Sequence, residues 1–63
     1  MATDEKGPID KAYEEKIIKL FDVLVESYVI AQGDKTKEQD AEKRFQNAAG
    51  IVKLLRDRAK ALI

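Results

Sequence analysis

Three basic residues near the end of the chain have a spacing that suits phosphate binding. Lys53, Arg56 and Lys60 occupy positions i, i+3 and i+7, which lie along one face of an α-helix. Such a row of cations is typical of contacts with a nucleic-acid backbone. The alternative is that cations near a helix C-terminus complement the helix dipole and keep the surface hydrated. Because the net charge of the 63-residue chain is zero, we favour the alternative and keep nucleic-acid binding as a second hypothesis.

Side chains for nucleophilic catalysis are scarce. The chain has no cysteine and no histidine, so it lacks a thiolate nucleophile, an imidazole base and any disulfide. Ser27 has only Glu26 and Tyr28 beside it, and neither is placed as the base that its hydroxyl would need. We therefore predict that the protein is not an enzyme and has neither a cofactor nor a small-molecule substrate. Ser27 is interpreted as a residue of a helix surface.

Carboxylates are numerous enough for a metal site to be considered. Glu14, Asp22 and Glu26 have spacings that could place them on a shared helix face, and an all-carboxylate site would suit a hard cation. A hydrated acidic face paired with Lys16 and Lys19 accounts for the same pattern. We favour this second interpretation and predict no metal.

Two helices must position these residues. From Pro8 to Gln32 there is no internal glycine, and apolar residues recur at intervals of three and four, which is helical periodicity. Pro8 suits the first turn of a helix, where its missing N–H costs nothing. The prediction is one domain over residues 1–63, with the following parts: a flexible tail at 1–7, a first helix at 8–32, a turn at 33–36 and a second helix at 37–63.

The connection between the helices carries both a stop signal and a start signal. Gly33 suits the left-handed residue that ends a helix, and Thr36 to Gln39 matches the S/T-x-x-Q form of the capping box. Asp34 is the competing candidate for the N-cap. Because so short a connection forces neighbouring helices to be antiparallel, the sequence predicts a helical hairpin.

The apolar positions predict how the hairpin packs. In the second helix, the positions from Ala41 to Leu62 follow a 4, 3, 4, 3 spacing over three heptads. Gly50 interrupts this pattern. It either marks a place where another helix approaches closely or is a tolerated glycine on the outer face, and we favour the second interpretation. The predicted core and dimer interface consists of Ile17, Leu20, Phe21, Leu24, Tyr28, Ala31, Phe45, Ala48, Val52, Leu55 and Leu62.

The segment VLVESYVIA at residues 23–31 is more apolar than a two-helix contact requires. Val23, Ile30 and Leu54 fall outside the hairpin seam and could line a groove for a partner. A chain this short is marginally stable alone, and burying such side chains against a second copy is worth about 1.5–3 kcal/mol each. We therefore predict a homodimer in which two hairpins form a four-helix bundle. Another protein as the partner is the open alternative.

The plan resembles the Rop fold, through the Gly33–Thr36 turn and the two heptad-like seams. The resemblance covers Pro8 to Ile63 and implies an all-α dimeric four-helix bundle. In the Rop family RNA is bound by polar side chains on a helix face, and no motif here allows those roles to be transferred to particular residues.

The expected function is a small non-enzymatic interaction protein, an adaptor or regulator that binds itself or another protein. The alternative is a Rop-like nucleic-acid binder. The polar, acidic N-terminal sequence and the absence of a long apolar run predict a cytoplasmic protein without a membrane partner.

Overall fold

The computed structural model describes residues 6–63 as two helices. Helix α1 spans Lys6–Ala31 and helix α2 spans Lys35–Ala61; they run antiparallel and pack against each other. No strand occurs among the described residues, so the prediction of an all-α helical hairpin is confirmed. Helix α1 begins two residues before the predicted start, with Pro8 still in the first turn, where its lack of an N–H is harmless. Residues 1–5 of the predicted tail lie outside the described residues.

The turn uses two left-handed residues where the sequence predicted one. Gly33 has φ +85°, as expected, and Gln32 before it has φ +51°. The N–H of Asp34 donates to the carbonyl of Ala31 over 3.0 Å, which satisfies one of the free carbonyls at the end of α1. Together these residues reverse the chain within three positions.

Asp34, and not Thr36, caps the start of α2. Its Oδ1 accepts hydrogen bonds from the backbone N–H of Thr36 at 3.0 Å and of Lys37 at 3.3 Å. The backbone of Asp34 is extended, as an N-cap requires, whereas Thr36 already lies inside the helix. The capping-box interpretation of Thr36 and Gln39 was therefore wrong, because the helix begins earlier than that motif would place it.

The hairpin is a single layer with little interior. Its Cα atoms fill 54 × 15 × 7 Å, and among the described residues only Ala31 and Ala41 are buried, each 5% exposed. The accessible surface is 5208 Å², whereas a compact monomer of 7.1 kDa exposes about 4,100 Å². The flat layer leaves two broad sides open on either side of one seam.

The seam in α2 departs from the predicted heptad pattern. Ala41, Ala48 and Val52 lie at the seam, but Leu55 is 59% exposed, and Leu62, the C-cap residue after α2, is 85% exposed. Phe45 and Ala59 are half-buried, so the predicted seam holds everywhere in α2 except at Leu55 and Leu62.

Gly50 lies on an open part of α2. A Cβ built on it would meet nothing within 4 Å, so no part of the described chain requires glycine there. The packing of a single chain thus agrees with the interpretation of Gly50 as a tolerated outer-face glycine.

Candidate protein-interaction surfaces

Polar contacts bridge the two helices along one side of the layer. Lys60 Nζ donates to both carboxylate oxygens of Asp10, at 2.9 and 3.0 Å, and the Tyr28 hydroxyl donates to Glu42. Asp10 and Tyr28 are eighteen residues apart, as are Glu42 and Lys60, which is five whole helical turns. Both bridges therefore lie on the same side, which we call the bridged side. The Lys60–Asp10 pair is partly solvated and contributes at most about 1 kcal/mol.

The bridge at Tyr28 changes the proton affinity of its phenol. The hydrogen bond to the Glu42 carboxylate raises the pKa of Tyr28 from 10.0 to about 12, and the charges of Glu42 and Glu38 add to the effect. A negative acceptor favours the protonated phenol over the phenolate. The carboxylates of Glu38 and Glu42 therefore both act on the Tyr28 phenol at the turn end of the bridged side.

Replacing Glu42 with glutamine is expected to return the pKa of Tyr28 toward 10.0. The folded chain holds the phenol proton more tightly than the unfolded chain, so the bridge stabilises the hairpin fully below pH 10. That contribution is lost as the pH rises toward 12. Ultraviolet titration of the phenolate in a Tyr13→Phe background checks this, with Glu15→Gln as the control for charge. An unchanged pKa in Glu42→Gln would show that the bridge does not form in solution.

The other side of the layer is an open apolar groove between the helices. Ile9 and Ser27 are also five whole turns apart, so they share one side of α1. Each immediately precedes a bridging residue, Asp10 or Tyr28, and one residue corresponds to a rotation of about 100° around the helix. The depressions along this side are lined by Ile9, Ala12, Tyr13, Leu20, Val23, Leu24, Ser27, Ile30, Ala31, Lys37, Asp40, Ala41, Arg44, Phe45, Ala48, Val52, Leu55, Arg56 and Ala59. We call this surface the groove.

Two of the three predicted groove residues line the groove, and the third does not. Val23 and Ile30 line the groove and are 58% and 75% exposed. Leu54 is half exposed and does not line it; with Ile51 it extends the apolar surface over the outer side of α2. Arg44 is a cation within the groove, where its aliphatic stem can cover apolar neighbours.

The predicted core residues separate into two sets within a single chain. Ala31 is buried, and the half-buried members are Ile17, Leu20, Leu24, Tyr28, Phe45, Ala48 and Val52. Phe21, Leu55 and Leu62 are exposed. Leu55 faces the groove, where a second copy would cover it, whereas Phe21 lies toward the bridged side. Their part in a dimer interface stays a prediction.

The predicted basic row is largely engaged within the chain. Lys60 pairs with Asp10, and Arg56 pairs with Asp57 at 2.9 Å while its guanidinium lies 4.4 Å from the centre of the Tyr13 ring. The hydrogen bond to Asp57 raises the pKa of Arg56 further, so it stays cationic. Lys53 is exposed. Phosphate binding by the row would compete with these contacts.

Glu14, Asp22 and Glu26 are not assembled into a cluster. Within residues 6–63, no three acidic side chains come close enough to hold a metal ion. Over the same residues, neither helix has the length and apolar character that crossing a bilayer requires.

A second exposed apolar surface lies on α1 and was missed as a unit from the sequence. Val25 and Val29 are 45% and 70% exposed, and Ile18 and Phe21 are 60% and 56% exposed. We call these four residues the apolar strip. Their spacing of 3, 4 and 4 was a sufficient signal, but Phe21 was assigned to the seam, and this hid the continuity of the strip.

Comparison of the chain with protein-family models, with curated proteins and with solved structures found no match. The fold and the two apolar surfaces therefore define the class of protein, a two-helix hairpin with open sides. The hairpin architecture agrees with the resemblance to the Rop fold, and no family membership follows from it.

Proposed function

We propose that this chain is a small non-enzymatic interaction module that acts as a homodimer, with the groove as the surface between the two copies. The observation that carries the proposal is the groove itself, an apolar surface built by both helices of a one-layer fold. The chain exposes about 1,100 Å² more than a compact monomer of its mass, and a stable interface takes roughly 800 Å² from each partner. A second hairpin laid on the groove is expected to bury an interface of that order.

The charges at the groove edge of α1 favour one arrangement of the copies. Lys19 and Glu26 are seven residues apart on the outer edge of the groove side, with Val23 between them. If α1 packs antiparallel to α1 of the second copy, with the two-fold axis near Val23, each Lys19 lies beside the Glu26 of the other copy. The contact is then complementary to itself, as a two-fold interface must be.

The charges of α2 fit the same axis. In both bridges, Tyr28–Glu42 and Asp10–Lys60, the two residue numbers add up to 70. Because the helices are antiparallel, any two positions whose numbers add up to 70 lie at the same level along the hairpin. Val23 of α1 therefore lies level with position 47 of α2. Asp40 and Arg58, five whole turns apart on α2, are centred on position 49, about 3 Å from that level. An antiparallel contact between the two α2 helices therefore brings each Asp40 near the Arg58 of the other copy.

A charge exchange tests both the dimer and its arrangement. Sedimentation equilibrium is expected to show a dimer, and Lys19→Glu or Glu26→Lys alone is expected to weaken it about tenfold, since each places two like-charged contacts in the interface. The double variant carrying both substitutions should recover the parental affinity. Mixing the two single variants should give a heterodimer in preference to either homodimer.

Two results would contradict this proposal in different ways. A folded monomer at every concentration would remove the homodimer. The second result is a dimer whose affinity does not change in the charge exchange but falls in Arg44→Glu and recovers when Glu26→Lys is added. That result would place α1 of one copy against α2 of the other. The dimer would stand and its arrangement would be wrong.

A cytoplasmic location also belongs to the proposal. Nucleic-acid binding has no favouring observation, since Arg56 and Lys60 already have partners within the chain.

A further inference from the structure

The apolar strip remains exposed after the groove has been closed by a second copy. Ile18, Phe21, Val25 and Val29 lie on the bridged side of α1, beyond the line through Asp10 and Tyr28. They cover eleven positions after Ile18, or about 17 Å along the helix axis. This length matches three turns of another α-helix laid along α1.

The edges of the apolar strip are acidic. On α1, Glu14 and Asp22 flank it, and from residue 14 to residue 29 no lysine or arginine shares this side of the helix. On α2, Glu42 accepts a hydrogen bond from the Tyr28 hydroxyl, and the charge of Glu38 also raises the pKa of that phenol. Lys53 is the one cation of α2 that lies level with the strip on this side.

A second copy does not suit this surface. Antiparallel pairing of two apolar strips would be centred between positions 23 and 24, which brings the two Asp22 carboxylates within about one helical turn of each other. The acidic edges of the two copies would then face each other and repel. An anionic membrane surface is disfavoured by the same charges.

We propose that the apolar strip is a docking site for an amphipathic helix of another protein, with apolar residues at i, i+3 or i+4, and i+7, flanked by lysine or arginine. The apolar side chains of that helix pack on Phe21, Val25 and Val29, and its cations lie beside Glu14, Asp22, Glu38 and Glu42. The inference rests on the proposed function in one respect, that the second copy occupies the groove.

Two synthetic helical peptides of about fourteen residues test this directly. Both carry the same leucines at helical spacing; one has flanking lysines and the other has flanking glutamates. The lysine peptide is expected to bind at least ~10-fold more tightly at low salt and to lose most of this advantage in ~0.5 M salt. Chemical shifts should move at residues 18–29. Equal affinity for the two peptides, or shifts confined to the groove, would overturn the proposal.

Variants of the chain separate this inference from the homodimer. Val29→Lys and Asp22→Lys are each expected to weaken binding of the lysine peptide at least ~10-fold while sedimentation still shows a dimer. Ala61→Lys adds the same charge as Val29→Lys at the far end of α2 and should leave binding unchanged. If Val29→Lys dissociates the dimer, the strip is the contact between copies and the inference is wrong. If the parent is monomeric yet binds the lysine peptide, the docking site stands and the homodimer fails.

Discussion

Val23→Lys is expected to raise the dissociation constant of the dimer by at least ~100-fold. Val23 lies at the proposed two-fold axis, so the substitution acts once in each copy. Each valine gives up the burial of its exposed fraction, worth about 1–2 kcal/mol, and two lysine ammonium groups are brought together at the axis. The hairpin itself should tolerate the change, because Val23 is 58% exposed in the single chain and lysine is the better helix former.

Val29→Lys is the matched control for this prediction. It makes the same substitution on the same helix, at a side chain that is 70% exposed, but on the bridged side. Sedimentation equilibrium should show a dimer for Val29→Lys and a monomer for Val23→Lys over the same concentrations. Circular dichroism should show a helicity that is independent of concentration for the monomeric variant and that falls on dilution for the parent. Equal dissociation of both variants would mean that the groove is not the dimer contact.

Local signals in the sequence predicted the architecture well because they act within a few residues. The left-handed Gly33 and the periodicity from Ile17 to Ala31 depend on backbone conformation and helix geometry alone. The choice between Asp34 and Thr36 as the N-cap depends on which of them retains an extended backbone, a property of the folded turn. Both residues are good N-caps by type, so the sequence left that choice open.

The surfaces were harder to predict because they depend on how far each helix turns relative to the seam. A strict heptad pattern placed Leu55 and Leu62 in the core, whereas Leu55 lines the groove and Leu62 lies beyond the last residue of α2 as its C-cap. Phe21 was assigned to the seam because it follows Ile17 by four residues and precedes Leu24 by three, yet it is 56% exposed on the bridged side. The polar bridges join residues fourteen and fifty positions apart, and no local pattern connects such pairs. The side on which they lie determines which apolar side is left open.

Ala41→Leu is expected to cause a large loss of stability, although it keeps the composition apolar. Ala31 and Ala41 are the two buried side chains of the described chain, and they lie nearly level across the seam beside the turn. Leucine at position 41 must either push the helices apart or extend into the groove, which Ala41 also lines. Overpacking of this kind costs typically 1–3 kcal/mol. That cost is a large fraction of the free energy of unfolding of so small a domain.

The effect of Ala41→Leu should appear in both folding and assembly, which distinguishes it from Val23→Lys. At equal chain concentration we expect the midpoint of thermal unfolding to fall by at least ~5 °C. The dimer should weaken at the same time, because a leucine in the groove occupies space that the second copy needs. Ala61→Leu makes the same change at an exposed helix position and should leave both quantities within error, since alanine and leucine have similar helix propensities. An unchanged midpoint for Ala41→Leu would show that the helices are not in close contact beside the turn, and the close approach of Ala31 and Ala41 would have to be abandoned.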